Sequence, residues 1–379
     1  MKVRLEKRVA ASPVYRFFSP VLAVIMALIF GAVFLWASGF NPAEVYLKMW
    51  WGAFGDSYGI SETVVKAIPI MLCALGIALA ARMLLWNVGA EGQFYMGAVA
   101  ASWVALSMRQ APAWQVLPLM ALAGMAGGAL WALVPAIPRA LLGVNEIITT
   151  LMLNYVAIHW VEYLVHGPWR DPGSLNFPLS APFSRAARLP MIGDTRVHAG
   201  LLFGLAAATL LTFVLWRTKW GYEVRVIGEN PRAARYAGMN ITRNVMIVLC
   251  AAGALAGLAG MAEVSAIAGR MQKGLSPGYG YSAIIVAWLA KLSPWGIVVV
   301  SILFGGLLVG GYSAQFIGVS AASVNMLQGA MLFFVLAAEV MGRYRIRVSL
   351  SGAGVDASSS RPAGPVQEAA DMGGERARE

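Results

Sequence analysis

Residues 64–107 read VVKAIPIMLCALGIALAARMLLWNVGAEGQFYMGAVAASWVALS. The first half is an apolar run of the length that carries an α-helix across about 30 Å of hydrocarbon. A polar, glycine-containing interruption follows, Asn87-Val88-Gly89-Ala90-Glu91-Gly92-Gln93, and then a second, shorter apolar run. An acidic residue at the centre of a membrane helix costs about 2.5–3.5 kcal/mol on insertion scales, so Glu91 needs a reason to be there. Non-helical backbone survives at membrane depth only where protein or a water-filled cavity satisfies its peptide groups. The interruption therefore reads as a cavity-lining or gate element that presents Asn87, Glu91 and Gln93. It also reads as a re-entrant turn whose Glu91 caps the N-terminus of the following helix. The two readings are compatible.

The rest of the chain supports lipid as the solvent. Of 379 residues, 59% are apolar and 12% charged, against about a quarter charged in a soluble domain. Ten apolar runs have spanning character, at 20–37, 64–85, 93–107, 114–135, 146–165, 198–216, 244–265, 281–292, 294–312 and 324–341, the third and eighth being short. The first follows Lys2, Arg4, Lys7, Arg8 and Arg16 and lacks a small-x-small cleavage site, the pattern of an uncleaved signal anchor. Cys73 and Cys250 lie inside apolar runs, which excludes a disulfide framework or a four-cysteine metal site. The net charge of +11 lacks the basic stripe with surface aromatics that nucleic acid would require. It is better explained by topology. With a cytoplasmic N-terminus, 20 of the 29 Lys and Arg fall on the inner side, Lys66 being counted with the outer ones, which places both termini in the cytoplasm.

On this plan, residues 1–19 form a basic cytoplasmic N-terminus and 20–342 a transmembrane domain. That domain has an external loop at 166–197 and an internal one at 217–243. Residues 38–63, with Trp50, Trp51 and Tyr58, are expected at the membrane interface. The tail 343–379 is too polar to bury itself and is expected to be disordered. A weak repeat is offset by about 180 residues: Val144-Asn145 and Val324-Asn325 open the fifth and tenth runs, and glycine-rich breaks precede both short runs. Five spans per unit would invert the second copy, the plan of transporters that bind near the midplane beside broken helices. The fold class is thus an all-α polytopic membrane protein, with about ten transmembrane helices in two inverted five-helix repeats.

Catalytic chemistry is hard to find. No Lys is followed by Ser or Thr, so a Walker-type phosphate loop is excluded. Gly274-Leu275-Ser276-Pro277-Gly278 fits a nucleophile pattern but has no histidine after it and reads as a turn. His159 and His166 read as interfacial or packing residues, with no metal site. Asn145, Glu146, Thr149, Thr150 and Asn154 share part of one helix face; Glu146 reads as a cap and Asn154 as the deeper pathway residue. Glu162, Glu263 and Glu339 sit near span ends and read as solvated or snorkelling. In the internal loop, Asn230 suits an N-cap, Pro231 a first helical position and Gly238 a stop, which specifies a short helix within 228–238. Its Arg232 and Arg235 are expected on one side and its Ala and Tyr residues on the other.

At these residues the sequence resembles the membrane permeases of bacterial ABC importers, nearest to their nucleoside and simple-sugar branch. The resemblance rests on Asn87 to Gln93, Asn145 to Tyr155, Gly228 to Gly238 followed by Gly253 to Gly260, and Gly278-Tyr279-Gly280-Tyr281, and it covers roughly residues 60–342. It implies a permease of the bacterial inner membrane without catalytic activity or cofactor of its own, with ATP and Mg on a cytoplasmic ATPase. It also implies an external substrate-binding lipoprotein and a second, shorter permease, giving a heterodimer or alternatively a homodimer. Residues Glu229, Asn230, Pro231, Arg232, Ala233, Ala234, Arg235, Tyr236 and Gly238 would then couple to the ATPase. The chain departs from the family in its tail and at Tyr279 and Tyr281.

A neutral ring solute needs an aromatic wall and a few amides. Asn87, Gln93, Asn154 and Gln328 are candidates for the amides, and Tyr279, Tyr281 and Trp288 for the wall. The inventory suits a nucleoside at least as well as a sugar. An ion-coupled secondary transporter or an intramembrane enzyme are the other classes; the first would transport alone, and the second lacks its constellation.

Overall fold

A computed structural model describes residues 2–7 and 13–349. Its helices are α1 (Pro13–Ala37), α2 (Pro42–Phe54), α3 (Ser57–Ala81), α4 (Ala90–Ser107), α5 (Ala113–Leu142), α6 (Glu146–His166), α7 (Gly200–Arg217), α8 (Lys219–Glu229), α9 (Pro231–Tyr236), α10 (Ile241–Glu263), α11 (Tyr279–Leu289), α12 (Pro294–Gln315) and α13 (Ala321–Arg343). A π-turn, Val264–Ala268, extends α10. Each of the ten apolar runs falls largely on a helix, but ten full spans are not what forms. Among the described residues seven helices are long and apolar enough to cross a bilayer, and an eighth span results if α1 and α2, bent by 119° at their junction, count as one. The two short runs account for the difference: α4 carries Glu91 and Gln93 in its first turn and α11 has 11 residues.

The segment expected at the interface is helical. Asn41 caps α2 by accepting from Ala43 N at 3.1 Å, with Pro42 at the first position, and Asp56 caps α3 by accepting from Gly59 N at 2.6 Å. Trp50, Trp51 and Tyr58 are all exposed.

At the centre α3 and α10 pack together, and α3 is almost wholly buried. Onto α10 pack α4 and α5, from earlier in the chain; onto α3 pack α11 and α12, from later. Glycine makes these crossings close. A Cβ on Gly257 of α10 would lie 2.1 Å from the Gly124 carbonyl oxygen of α5, and one on Gly97 of α4 would lie 2.2 Å from Gly257 Cα. On the other side a Cβ on Gly305 of α12 would lie 2.4 Å from the Thr63 carbonyl oxygen of α3. Without a hydrophobic drive between helices in lipid, such backbone contact is a main source of packing energy. Gly257→Leu is therefore expected to destabilise the detergent-solubilised protein by about 3 kcal/mol or more, read as a fall in thermal unfolding temperature. Gly329→Ala, inside α13 with open space around it, is the control and should not lower that temperature, since alanine is the better helix former.

Strands β1 (Lys2–Lys7) and β2 (Tyr344–Ser349) pair antiparallel, Lys2 opposite Ser349 and Lys7 opposite Tyr344. The tail expected to be disordered from 343 thus begins with the end of α13 and a paired strand, because backbone hydrogen bonds to β1 satisfy its peptide groups; residues 350–379 lie outside the described residues. The long 166–197 loop is pinned rather than free. Ser180 N donates to Met271 O and Phe183 N to Gly269 O, each at 2.9 Å, and Ser265 Oγ donates to Ala187 O at 2.6 Å.

Candidate functional site

The two short helices meet at their N-termini. After α3 the chain turns through Leu84, at φ +56°, and enters α4 at Ala90; after the π-turn it turns through Gly269, Gly274 and Gly278, all at positive φ, and enters α11 at Tyr279. A Cβ on Gly280 would lie 2.4 Å from Glu91 N, so the two first turns are in backbone contact. Glu91 was expected to cap its own helix. Instead the cap position of α4 is Gly89, with no side-chain bond, and Glu91 Oε2 accepts from Gly280 N at 2.7 Å. Two positive helix ends brought together would repel, and one buried carboxylate placed between them offsets both.

Most of the polar candidates knit this junction. Asn154 Oδ1 accepts from Gly92 N at 2.8 Å, and its Nδ2 donates to Val88 O at 2.9 Å and to Tyr281 Oη at 3.1 Å. Asn87 and Gln93 exchange two amide hydrogen bonds of 2.9 Å, both buried. Tyr95 Oη accepts from Ser276 N at 3.2 Å. Glu146 does not cap α6. Asn145 does so by accepting from Ile147 N, while Glu146 accepts from Trp86 N and pairs with Arg139 Nε, both at 3.1 Å.

Tyr279 is fully buried, and its hydroxyl joins two charges: Lys66 Nζ donates to it at 3.0 Å and it donates to Glu263 Oε1 at 3.3 Å, the Lys66 to Glu263 distance being 3.9 Å. Glu263 is thus buried and paired, not solvated or snorkelling as its place near a span end suggested. Lys66 lies within α3 and is a pairing charge rather than a topological one. Glu162 does meet solvent, beside Lys273 at 2.7 Å and His159 at 3.3 Å. The side chain of Glu339 lies outside the described residues.

One polar-edged cavity adjoins the junction. It has a volume of about 150 Å³ and is bordered by Trp86, Asn87, Val88, Ile284 and Trp288, with Ile77 and Leu85 behind. Trp86 and Trp288 stack there, centroids 5.2 Å apart and planes at 25°. Of the eight path candidates, Asn87 and Trp288 border this cavity, while Glu91, Gln93, Asn154, Tyr279 and Tyr281 belong to the junction. Gln328, on α13, reaches the first turn of α11 from outside the junction, accepting from Ser282 Oγ at 3.1 Å. Trp86 escaped the sequence reading; its signal was an aromatic ring immediately before the polar break.

At the other candidate site, the expected punctuation forms. Asn230 Oδ1 accepts from Arg232 N and Ala233 N at 3.1 Å, Pro231 opens α9 and Gly238 follows it at φ +75°. Two details differ. Gly228 and Glu229 end α8, because the Asn230 cap interrupts the helix. The sides also differ from expectation: Ala234 is buried, while Ala233, Arg232, Arg235 and Tyr236 are exposed, Tyr236 at 95%. The packed face of so short a helix is one residue wide.

Residues 59–336 match the family described as branched-chain amino acid transport system / permease component. The chain is 37% identical to a glucose ABC transporter permease protein of Haloferax volcanii, over 97% of this chain and 99% of the relative. It is 34% identical to a guanosine ABC transporter permease protein of Bacillus subtilis, over 83% of this chain and 92% of the relative. A nucleoside ABC transporter permease protein of Lactococcus lactis is 30% identical over 83% of this chain and 89% of its own length. No solved structure gives a significant match. A bundle of apolar helices interrupted at two places by breaks that meet in one polar junction, matched by a family over most of its length, makes this chain a polytopic membrane protein of the ABC transporter permease family.

Proposed function

We propose that the chain forms the translocation path of an ATP-driven importer in the bacterial inner membrane and that its solute is a nucleoside. The observation that carries the substrate reading is the Trp86 and Trp288 pair beside Asn87 at the cavity. A flat base stacks on an indole face, and an amide serves its edge, with no fixed countercharge needed. Guanosine and nucleoside permeases among the relatives support the same solute class. A sugar is the second reading, favoured by the glucose permease at 37% identity.

Energy enters from outside the chain. α9, with exposed Arg232, Arg235 and Tyr236, is the docking element for a cytoplasmic ATPase that holds ATP and Mg, and a phosphate loop is missing from this sequence. Both termini are cytoplasmic, in keeping with the charge count and with β1 and β2 lying side by side. An extracytoplasmic binding protein delivers the solute, and a second permease completes the pore. The crossed packing supports the inverted repeat: α3, α4 and α5 correspond to α10, α11 and α12, so α4 and α5 on α10 mirror α11 and α12 on α3.

Uptake by the assembled transporter in proteoliposomes tests this. Uptake of labelled guanosine should require ATP, stop with vanadate, and fall with excess adenosine or uridine but not with leucine. Competition by glucose with none by nucleosides would establish the second reading. Uptake by this chain alone, driven by an ion gradient, would overturn the proposal.

A further inference from the structure

At the inner end of α11, four features of the structure meet at Arg82. First, Gly228, the penultimate residue of α8, rests on the backbone of Arg82: a Cβ there would lie 1.8 Å from the Arg82 carbonyl oxygen and 3.2 Å from Met83 Cα. Second, Arg82 Nη2 donates to Leu292 O at 2.9 Å, just beyond the C-terminus of α11. Third, the backbone on both sides of this contact is held in the left-handed region without glycine, at Leu84 (φ +56°), Lys291 (φ +51°) and Leu292 (φ +57°). Such positions are strained for residues with a Cβ and persist only where their surroundings enforce them. Fourth, Trp86 and Trp288, four residues from Arg82 and from Leu292 respectively, are the stacked pair that borders the cavity.

We propose that Arg82 is a positioning residue that passes movement of the α8–α9 element to α11, and through α11 to the Trp86 and Trp288 pair. The proposal rests on the reading of α9 as the ATPase-docking element. Helix α11 is held at both ends, by Glu91 on the Gly280 amide at its N-terminus and by Arg82 on Leu292 beyond its C-terminus. The outer attachment is a network of buried and half-buried groups, including Asn154 on Tyr281 and Glu263 on Tyr279. The inner attachment includes the Arg82 guanidinium on the Leu292 carbonyl oxygen and the Trp288 ring against Trp86. A displacement of α8 therefore reaches Arg82 through rigid backbone contact at Gly228 and swings the inner end of α11 about its outer end, separating the indoles. The strained residues at 84, 291 and 292 are where the chain gives.

The test compares Arg82→Gln, which cannot reach Leu292, with Tyr236→Asp, which alters the exposed docking face. Each is purified with the ATPase and second permease and reconstituted with binding protein. Arg82→Gln should keep the ATPase bound, stay folded with a smaller fall in thermal unfolding temperature than Glu91→Ala, and keep solute-independent ATP hydrolysis, yet carry at least tenfold fewer solutes per ATP. Tyr236→Asp should lose the ATPase itself. Gly228→Ala should reproduce the uncoupled phenotype, and the double variant Gly228→Ala/Arg82→Gln should be no worse than either. A wild-type ratio of solute to ATP in Arg82→Gln overturns the proposal. Loss of the ATPase from Arg82→Gln also overturns it, because Arg82 would then belong to the docking site. If the ATPase fails to bind even the unaltered chain, the reading of α9 falls first.

Discussion

Glu91→Ala is expected to abolish uptake and to lower the stability of the detergent-solubilised protein by about 3 kcal/mol or more. The carboxylate accepts from Gly280 N at 2.7 Å in a buried setting, and hydrogen bonds to charged groups contribute about 1.5–3 kcal/mol. It also lies between two helix N-termini, where a partly buried charge is worth up to about 2 kcal/mol. Alanine removes both contributions, leaves the Gly280 amide without its acceptor and opens a void beside a backbone contact. Glu91→Gln keeps an oxygen for the Gly280 amide and loses only the charge, so its cost should be about 1–2 kcal/mol. Thermal unfolding followed by tryptophan fluorescence, with uptake measured on the same preparations, separates these values. Equal stability of the alanine and glutamine variants would mean that the carboxylate does not hold the helix ends together.

Lys66→Met is expected to be comparably severe, at about 3–5 kcal/mol, since it leaves Glu263 buried without its cation. Glu263→Gln should cost less. Lys66 is 19% exposed along its side chain and keeps Tyr279 Oη as a partner, so its charge has a route to solvent. The double variant Lys66→Met/Glu263→Gln should recover much of the loss, because replacing both members of a buried pair removes the desolvation penalty together with the attraction. A double-mutant cycle on unfolding temperature measures the coupling. Strictly additive losses would show that Lys66 and Glu263 act independently.

The sequence made the break at 87–93 legible because polar residues between two apolar runs have few physical explanations, and it made α9 legible because cap, proline and glycine sit at fixed offsets. Those are local signals. What stayed hidden was long-range. Nothing near Glu263 indicates Lys66, which lies on α3 on the far side of the chain, so the residue read as solvated. Asn154 looked like a path residue because an amide at depth is costly, but whether it meets a solute or a neighbouring backbone depends on α4 and α11, which it ties together. The same holds for Glu91, whose nearest amides in sequence belong to α4 while the one it binds is on α11. Pairings of this kind follow from helix packing, which periodicity does not encode.

The exchange of helices between the two halves also governs how the protein must be made. α3 is complete at Ala81, but the helix that covers much of it, α10, begins at Ile241, about 160 residues later. At roughly 5–20 residues per second of synthesis, that is on the order of ten to thirty seconds. During this interval Glu91 is without the Gly280 amide and Lys66 without Glu263, each facing lipid or the insertion machinery. The first half is therefore an unfinished intermediate rather than an independent module. Its glycine-lined surfaces wait for partners still on the ribosome, which exposes newly inserted chains to quality-control proteases until α12 has docked.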